Sequence, residues 1–258
     1  MLRPGTHPLR RSDGRLQLGL SPGSAIVLPD SDLTRRLVDP LLVGQADPAQ
    51  LEPLIAAGLV VDEASVRTRP RRRRQRIVVR PFGHASSVGL AHLVREAMAD
   101  LGLPEPAPPR SDHVDVVLLV GVGEPHRELV DPWVRSATPH ALLRFVEGSA
   151  VIGPWVAPGT TPCLRCLDAH HTDRDASWPR LVRQYADASA QDRRDGQPEP
   201  VDPALASIAT GWLVRDLATF LSGGQPSTWA ATLHLPTDLA GFEVRSWLRH
   251  PECGCGGL

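Results

Sequence analysis

The hydrophobic pattern changes near residue 77. Before that point apolar positions come in short bursts. "THPLRRSDGRLQLGL" alternates apolar and polar residues on either side of Ser12-Asp13-Gly14, which predicts a hairpin turning there. "SAIVLPD" predicts a third short strand. "SDLTRRLVDPLLVG" has helical spacing with Ser31 or Asp32 as N-cap, and Pro40 is placed to end or kink it. "DPAQLEPLIAAGLVVDE" predicts another helix with Gly58 at its C-cap, then a short extended stretch. Three small strands and two or three short helices make residues 1–63 a winged-helix-like α+β module.

After residue 77 longer apolar runs alternate with amphipathic segments. "RIVVRPFG" predicts a strand, and "SSVGLAHLVREAMADLG" a helix ending at Gly102. "DVVLLVGVG" is almost unbroken, as expected of a strand buried on both faces of a parallel sheet. Glu128 to Ala137 predicts a short helix, and "ALLRFVEGSAVIGPWVAPG" two strands. Residues 186–203, polar and proline-rich, predict a mobile loop. Pro203 to Leu221 predicts a helix, and "TWAATLHLP" with "GFEVRSWLR" a late antiparallel pair. Residues 77–258 are therefore an α/β domain.

Between the two lie residues 64–76, which hold seven arginines, Arg71 to Arg74 consecutively. Like charges at that density do not pack on themselves, so this is a linker, with nucleic-acid or leader binding as the other reading. The chain as a whole carries a formal charge of −1, which offers no global attraction to nucleic acid or anionic lipid. No apolar run approaches the ~18 residues of a membrane span, and no signal-peptide core opens the chain, so a cytoplasmic protein is expected. All 28 basic residues are arginine, and asparagine is absent as well. A lysine Schiff base and a P-loop lysine are thereby excluded.

Four cysteines remain: Cys163 and Cys166 in mid-chain, Cys253 and Cys255 at the end. Two remote pairs in a reducing compartment fit a zinc tetrathiolate. The tight Cys253-Gly254-Cys255 spacing uses glycine's backbone freedom, with His250 as the nearest substitute ligand. Two disulfides are the rival reading. A redox-active Cys163–Cys166 pair is a third, opposed by a proline-framed loop that lacks the helix start needed to lower a thiol pKa. Four thiolates leave no place for water, so the zinc is expected to be structural, tying the C-terminal tail to the loop after the mid-chain strands.

The stretch "VIGPWVAPGTTPCLRCLDAHHTDRDASWPRLVRQY" with the late "HPECGC" resembles the ThiF-like (ubiquitin-activating-enzyme-like) subunit of the cyclodehydratases that make thiazole- and oxazole-modified microcins. The resemblance implies a ThiF-like Rossmann-type sheet with a zinc tetrathiolate, behind a peptide-recognition module. It implies a subunit that holds a precursor peptide by its leader. A YcaO-type partner then uses ATP to cyclise Cys, Ser or Thr onto the preceding amide. By that analogy the leader adds a strand along Ser24, Ala25, Ile26, Val27 and Leu28, against a helix bearing Leu51, Leu54 and Ile55. A homodimer through the α/β domain is a further implication.

The sequence departs from that family's adenylating members. "PFGHASSVG" keeps Gly83 and Gly89 but lacks the glycine density that lets backbone approach phosphates. Together with the missing lysine and asparagine, this makes ATP binding by this chain unexpected. The alternatives are a ThiF-like adenylyltransferase acting on a carboxylate, or a stand-alone zinc-stabilised adaptor. His170, His171, Asp173 and Asp175 form either a second metal or base site or the exposed face of a helix. Arg165 either offsets thiolate charge or lies at the surface. Trp155 and Trp178 read as core or interface anchors.

Overall fold

The computed structural model describes residues 2–3, 5–23, 25–42, 55, 58–60, 75–108, 114–192, 195–196 and 201–255. The chain divides into two units, Met1–Arg69 and Pro70–Leu258.

In the first unit β1 (Pro8–Arg10), β2 (Arg15–Leu18) and β3 (Ile26–Pro29) form an antiparallel sheet in that order. The hairpin turns at the predicted place. Asp13 accepts hydrogen bonds from Arg11, from Arg15 and from the Arg15 amide, and Gly14 supplies the left-handed φ of +73°. Helix α1 (Asp32–Leu42) starts under a Ser31 cap, whose Oγ accepts from the Thr34 amide at 3.2 Å. Pro40 does not end it. The missing N–H falls near the helix end, and the buried Val38 and Leu41 hold that turn in place.

Leu16, Leu18, Val38 and Leu59 form the main apolar cluster here, and Leu2, Leu41 and Val60 a smaller one. Strand β3 is a sheet edge, with Ile26 and Leu28 half-buried and Val27 exposed. Ala25 precedes it, its amide donating to the Ser21 carbonyl. Ile55 is exposed, and Gly58 closes onto its carbonyl at 2.9 Å. Ser24, Leu51 and Leu54 lie outside the described residues, as do residues 64–74 of the linker.

The second unit is built on a six-stranded sheet of order β4-β5-β6-β7-β8-β9. Strands β4 (Ile77–Gly83), β5 (Val116–Val122) and β6 (His140–Val146) run parallel. Strands β7 (Ser149–Val156), β8 (Ala231–Leu235) and β9 (Glu243–Ser246) continue the sheet antiparallel. Every residue of β5 is buried, as its unbroken apolar run predicts, because both faces of the sheet are covered.

Helices α2 (Ser87–Asp100) and α6 (Pro203–Leu221) pack on one face, where Leu90, Val94, Leu213 and Leu217 meet Val79, Leu118, Val120 and Ile152. On the other face Val130 of α3 (Arg127–Arg135) and Leu164 and Leu167 of α4 (Leu164–Thr172) meet Val117, Leu119 and Leu142. Helix α5 (Trp178–Ser189) lies against α4 and runs past residue 186, so the loop expected from there begins later. Helix α6 is the one helix among the described residues long and apolar enough to cross a membrane. Its buried Leu205, Ala209, Leu213 and Leu217 instead belong to the core.

Candidate functional site

Four sulfurs meet at one end of this unit. Cys163 lies 3.4 Å from Cys253 and 3.8 Å from Cys166, while Cys166 lies 3.3 Å from Cys255. All four lie within 4.8 Å of one another and none is in a disulfide. A tetrahedron with zinc–sulfur bonds of ~2.3 Å has edges of ~3.8 Å, so the spacing fits one zinc ion. The electrostatics fit as well. A hydrogen bond with Cys166 and burial push the Cys163 thiol far above its usual range, and burial pushes Cys253 up to about 12. Cys166, accepting from Cys163, is pulled down to about 4. Four buried sulfurs this close resist ionising together, and a divalent ion removes that resistance. The tetrathiolate predicted from the two cysteine pairs is thus formed, and with all four positions used it is a structural centre.

One detail reverses the expectation. Cys163 is the N-cap of α4 and Cys166 sits in its first turn, so the mid-chain pair does occupy a helix start. The convergence of Cys253 and Cys255 on it, not the absence of a helix, is what favours zinc over a redox pair. Arg165 is not held by the sulfurs: it makes two 2.7 Å contacts to Asp131.

His170, Asp173 and His250 also lie close enough to share an ion. Their hydrogen bonds point to a clamp instead. His170 Nε2 donates to the Leu248 carbonyl at 2.9 Å, and His250 Nε2 to Asp173 at 3.0 Å. His250 Nδ1 accepts from the Glu252 amide, so its Nε2 carries the proton and has no lone pair for a metal. The end of α4 is thereby fastened to the segment that enters the sulfur cluster. Asp175 accepts from the Ser177 amide ahead of α5.

A second feature is an open crevice of about 350 Å³ beside the carboxyl ends of β5 and β6. Its floor is an ion-pair chain. Glu124 accepts from Arg144 at 2.6 Å and from Arg127 at 2.9 Å, Arg127 grips Asp168, and Asp168 accepts from Trp178 Nε1 at 3.0 Å. Its wall is aromatic. His171 stacks on Trp178 with ring centres 4.2 Å apart, Trp247 lies 5.3 Å from His171 at a tilt of 55°, and Arg245 sits over Trp247. His171 is therefore half-buried in a stack, not on the exposed face expected of it. Trp178 is the anchor that orders this wall, while Trp155 is fully buried in the core. His234, Thr232, Arg245 and Trp247 escaped the sequence reading. The alternation in "FEVRSW", which places Glu243, Arg245 and Trp247 on one face of β9, was the available signal.

No protein-family model matches the sequence, and no curated protein matches it. Solved structures do. The heterocyclase TruD matches 99% of this chain at TM-score 0.66 and 15% identity, over 42% of its own length. E. coli MccB with ATP matches 100% of this chain and 99% of MccB, at TM-score 0.62 and 13% identity. A chain of the E. coli microcin synthetase McbBCD complex matches 98% of this chain and 99% of its own, at TM-score 0.51 and 14% identity. The fold is ThiF-like.

The Rossmann-type sheet with its tetrathiolate cluster thus stands as the sequence implied. This chain spans about two-fifths of the heterocyclases it resembles. The expectation that ATP would not bind is overturned: MccB, matched end to end, is solved with ATP and also with AMPCPP and MccA. Of the two glycines in "PFGHASSVG", Gly83 answers to internal packing and Gly89 has open space where a Cβ would stand; Gly123, after β5, is packed as closely as Gly83. A Cβ on Gly83 would strike the Val122 carbonyl, and one on Gly123 would strike the Ser189 side chain.

Proposed function

We propose that this chain works in the modification of a ribosomally made peptide, activating a peptide carboxylate by nucleotidyl transfer. The observation that supports this most is the crevice outside the carboxyl ends of β5 and β6, where open α/β sheets receive ligands, taken here as the place of the peptide carboxylate and not of the triphosphate. It occurs in a fold that MccB shares along its whole length, in a form solved with ATP. In this reading a carboxylate oxygen attacks the α-phosphorus, the bond to the β-phosphate oxygen breaks, and pyrophosphate leaves. The zinc cluster takes no part beyond holding the tail in place. The peptide's leader would lie as an extra strand along the β3 edge at Ala25 to Leu28, a surface with no further strand beside it among the described residues.

A second reading is favoured by the heterocyclases and by McbBCD, which this chain matches over nearly all its length. Here the chain presents the peptide to a YcaO-type partner that closes the ring. ATP–pyrophosphate exchange by the pure protein with its peptide separates the two. Peptide-dependent exchange is expected for the first. Absent exchange, with water lost from the peptide only when the partner is added, selects the second. Deleting residues 1–63 should abolish peptide capture in either case.

A further inference from the structure

The crevice has its own donor pattern, set by strands β8 and β9. Thr232 and Arg245 are cross-strand partners, and Trp247 Nε1 donates to the Thr232 hydroxyl at 2.9 Å. Thr232 is buried, and its hydroxyl hydrogen has one acceptor among the described residues, His234 Nε2 at 3.2 Å. A buried hydroxyl is satisfied only by giving that hydrogen to the imidazole, which places the ring proton on Nδ1. His234 Nδ1–H then has no partner among the described residues. His171 makes no hydrogen bond among them either, although its ring contacts two indoles.

Charge limits what these donors can receive. Arg144 and Arg127 are committed to Glu124 and Asp168. The remaining cation is Arg245, shared with the exposed Glu243 at 3.1 Å. Glu147, exposed, also lines the crevice. One shared guanidinium and two imidazoles suit one negative charge and fall short of a triphosphate. Burial, then Arg245 in one case and Arg144 in the other, holds both His171 and His234 below the usual imidazole range, so both rings act as neutral hydrogen-bonding groups and Arg245 supplies the charge. A planar carboxylate matches a guanidinium fork beside an N–H donor.

We propose that this crevice recognises one carboxylate of the peptide, received by His234 Nδ1–H, His171 and Arg245 against the Trp178–Trp247 wall. The inference rests on the reading that the chain handles peptides. It adds which side chains hold that carboxylate, and the test below tells which carboxylate of the peptide it is.

Calorimetric titration of the full chain without nucleotide tests it. Three probes are used: acetyl-Gly-Glu-Gly-amide, with a side-chain carboxylate only; acetyl-Gly-Gly-Gly acid, with a terminal carboxylate only; and acetyl-Gly-Gly-Gly-amide, with neither. One of the acids is expected to bind at least about tenfold more tightly than the amide, and which one does identifies the source of the carboxylate. Arg245→Gln and His234→Phe should each cost about tenfold, the loss of one charge-assisted or one neutral hydrogen bond with its desolvation. Arg245 is on the edge strand, so Arg245→Gln keeps the fold if His234→Phe does not. Equal binding of all three probes, or unchanged binding by a folded Arg245→Gln chain, overturns the proposal. Exchange activity measured in parallel keeps the two ideas apart. Exchange without carboxylate preference sinks only this one; carboxylate binding without exchange sinks only the activation reading.

Discussion

Arg127 holds Asp168 with two parallel hydrogen bonds, 2.6 Å from Nε to Oδ2 and 2.8 Å from Nη2 to Oδ1. The first residue of α3 is thereby locked to the middle of α4, and both helices share the floor of the crevice with β6. The pair is largely buried and each partner has a further hydrogen bond, Arg127 to Glu124 and Asp168 to Trp178. Such pairs cost little only while complete, because breaking one strands the other charge in a poor solvent.

Asp168→Asn should therefore destabilise the chain by about 3 kcal/mol. Urea unfolding at neutral pH measures this, and the difference in tryptophan fluorescence between the chain and its Trp178→Phe variant, which isolates Trp178 among the six tryptophans, reports whether the wall of the crevice loosens with it. A loss below about 0.5 kcal/mol, the range of an exposed pair, would mean the fork contributes no more than a surface contact.

The same pair predicts an acid dependence. Burial raises the Asp168 carboxyl, but the Arg127 hydrogen bonds and charge outweigh it, and the net result lies below the ordinary 3.8. The folded state thus binds this proton less readily than the unfolded one. The stabilisation is complete above the unfolded value and disappears as pH falls through the folded one. The stability gap between wild type and Asp168→Asn should stay constant from neutral pH down to about 5 and shrink below about 4. A gap that narrows already at neutral pH would assign the effect to another group.

These relationships were unequally visible in the sequence. The unbroken "VVLLVGV" declared a strand covered on both sides, since nothing polar interrupts it to face water. The two cysteine pairs declared a metal because four thiols in two remote pairs suit one tetrahedral ion, and they do come together. The crevice was not visible. Thr232 meets Arg245 through strand register, and His171 meets Trp247 across 75 residues of chain, contacts that no spacing rule encodes. The helix start at Cys163 was missed although Leu164 and Leu167 already had helical spacing, because the flanking prolines were read as loop. Pro40 misled for the opposite reason. Its local cost is real but small near a helix end whose side chains are buried.

Metal analysis provides the third prediction. The purified chain should carry one zinc, and Cys166→Ser should lose it. Structural zinc is worth on the order of 10 kcal/mol in small zinc peptides, so stripping the metal should release the segment after β9 and drop the melting temperature sharply. Limited proteolysis should then cut near residue 250, where the clamp of His250 on Asp173 depends on the cluster to hold the turn. Reduced thiols with no bound metal in a fully stable protein would rule the cluster out as a zinc site.

Asp216 is the remaining test of how the late strands are placed. It is an acid buried in the middle of α6, and its carboxylate accepts four hydrogen bonds: from the Ser227 amide and hydroxyl at 2.8 Å each, and from the Thr228 amide at 3.0 Å and hydroxyl at 2.6 Å. These fasten the loop that leads into β8, hence the strand carrying Thr232 and His234. Asp216→Ala leaves the two buried Thr228 donors unpaired, while those of the exposed Ser227 can turn to water, and should cost about 2 to 3 kcal/mol. Asp216→Asn keeps one carbonyl oxygen for the Thr228 pair but turns an NH₂ group toward the Ser227 donors, so it should cost about half as much. If the loop positions β8, both variants should weaken carboxylate binding in the crevice even where they remain folded, with Asp216→Ala weaker than Asp216→Asn. A stability loss with binding unchanged would show that β8 holds its place through the sheet alone.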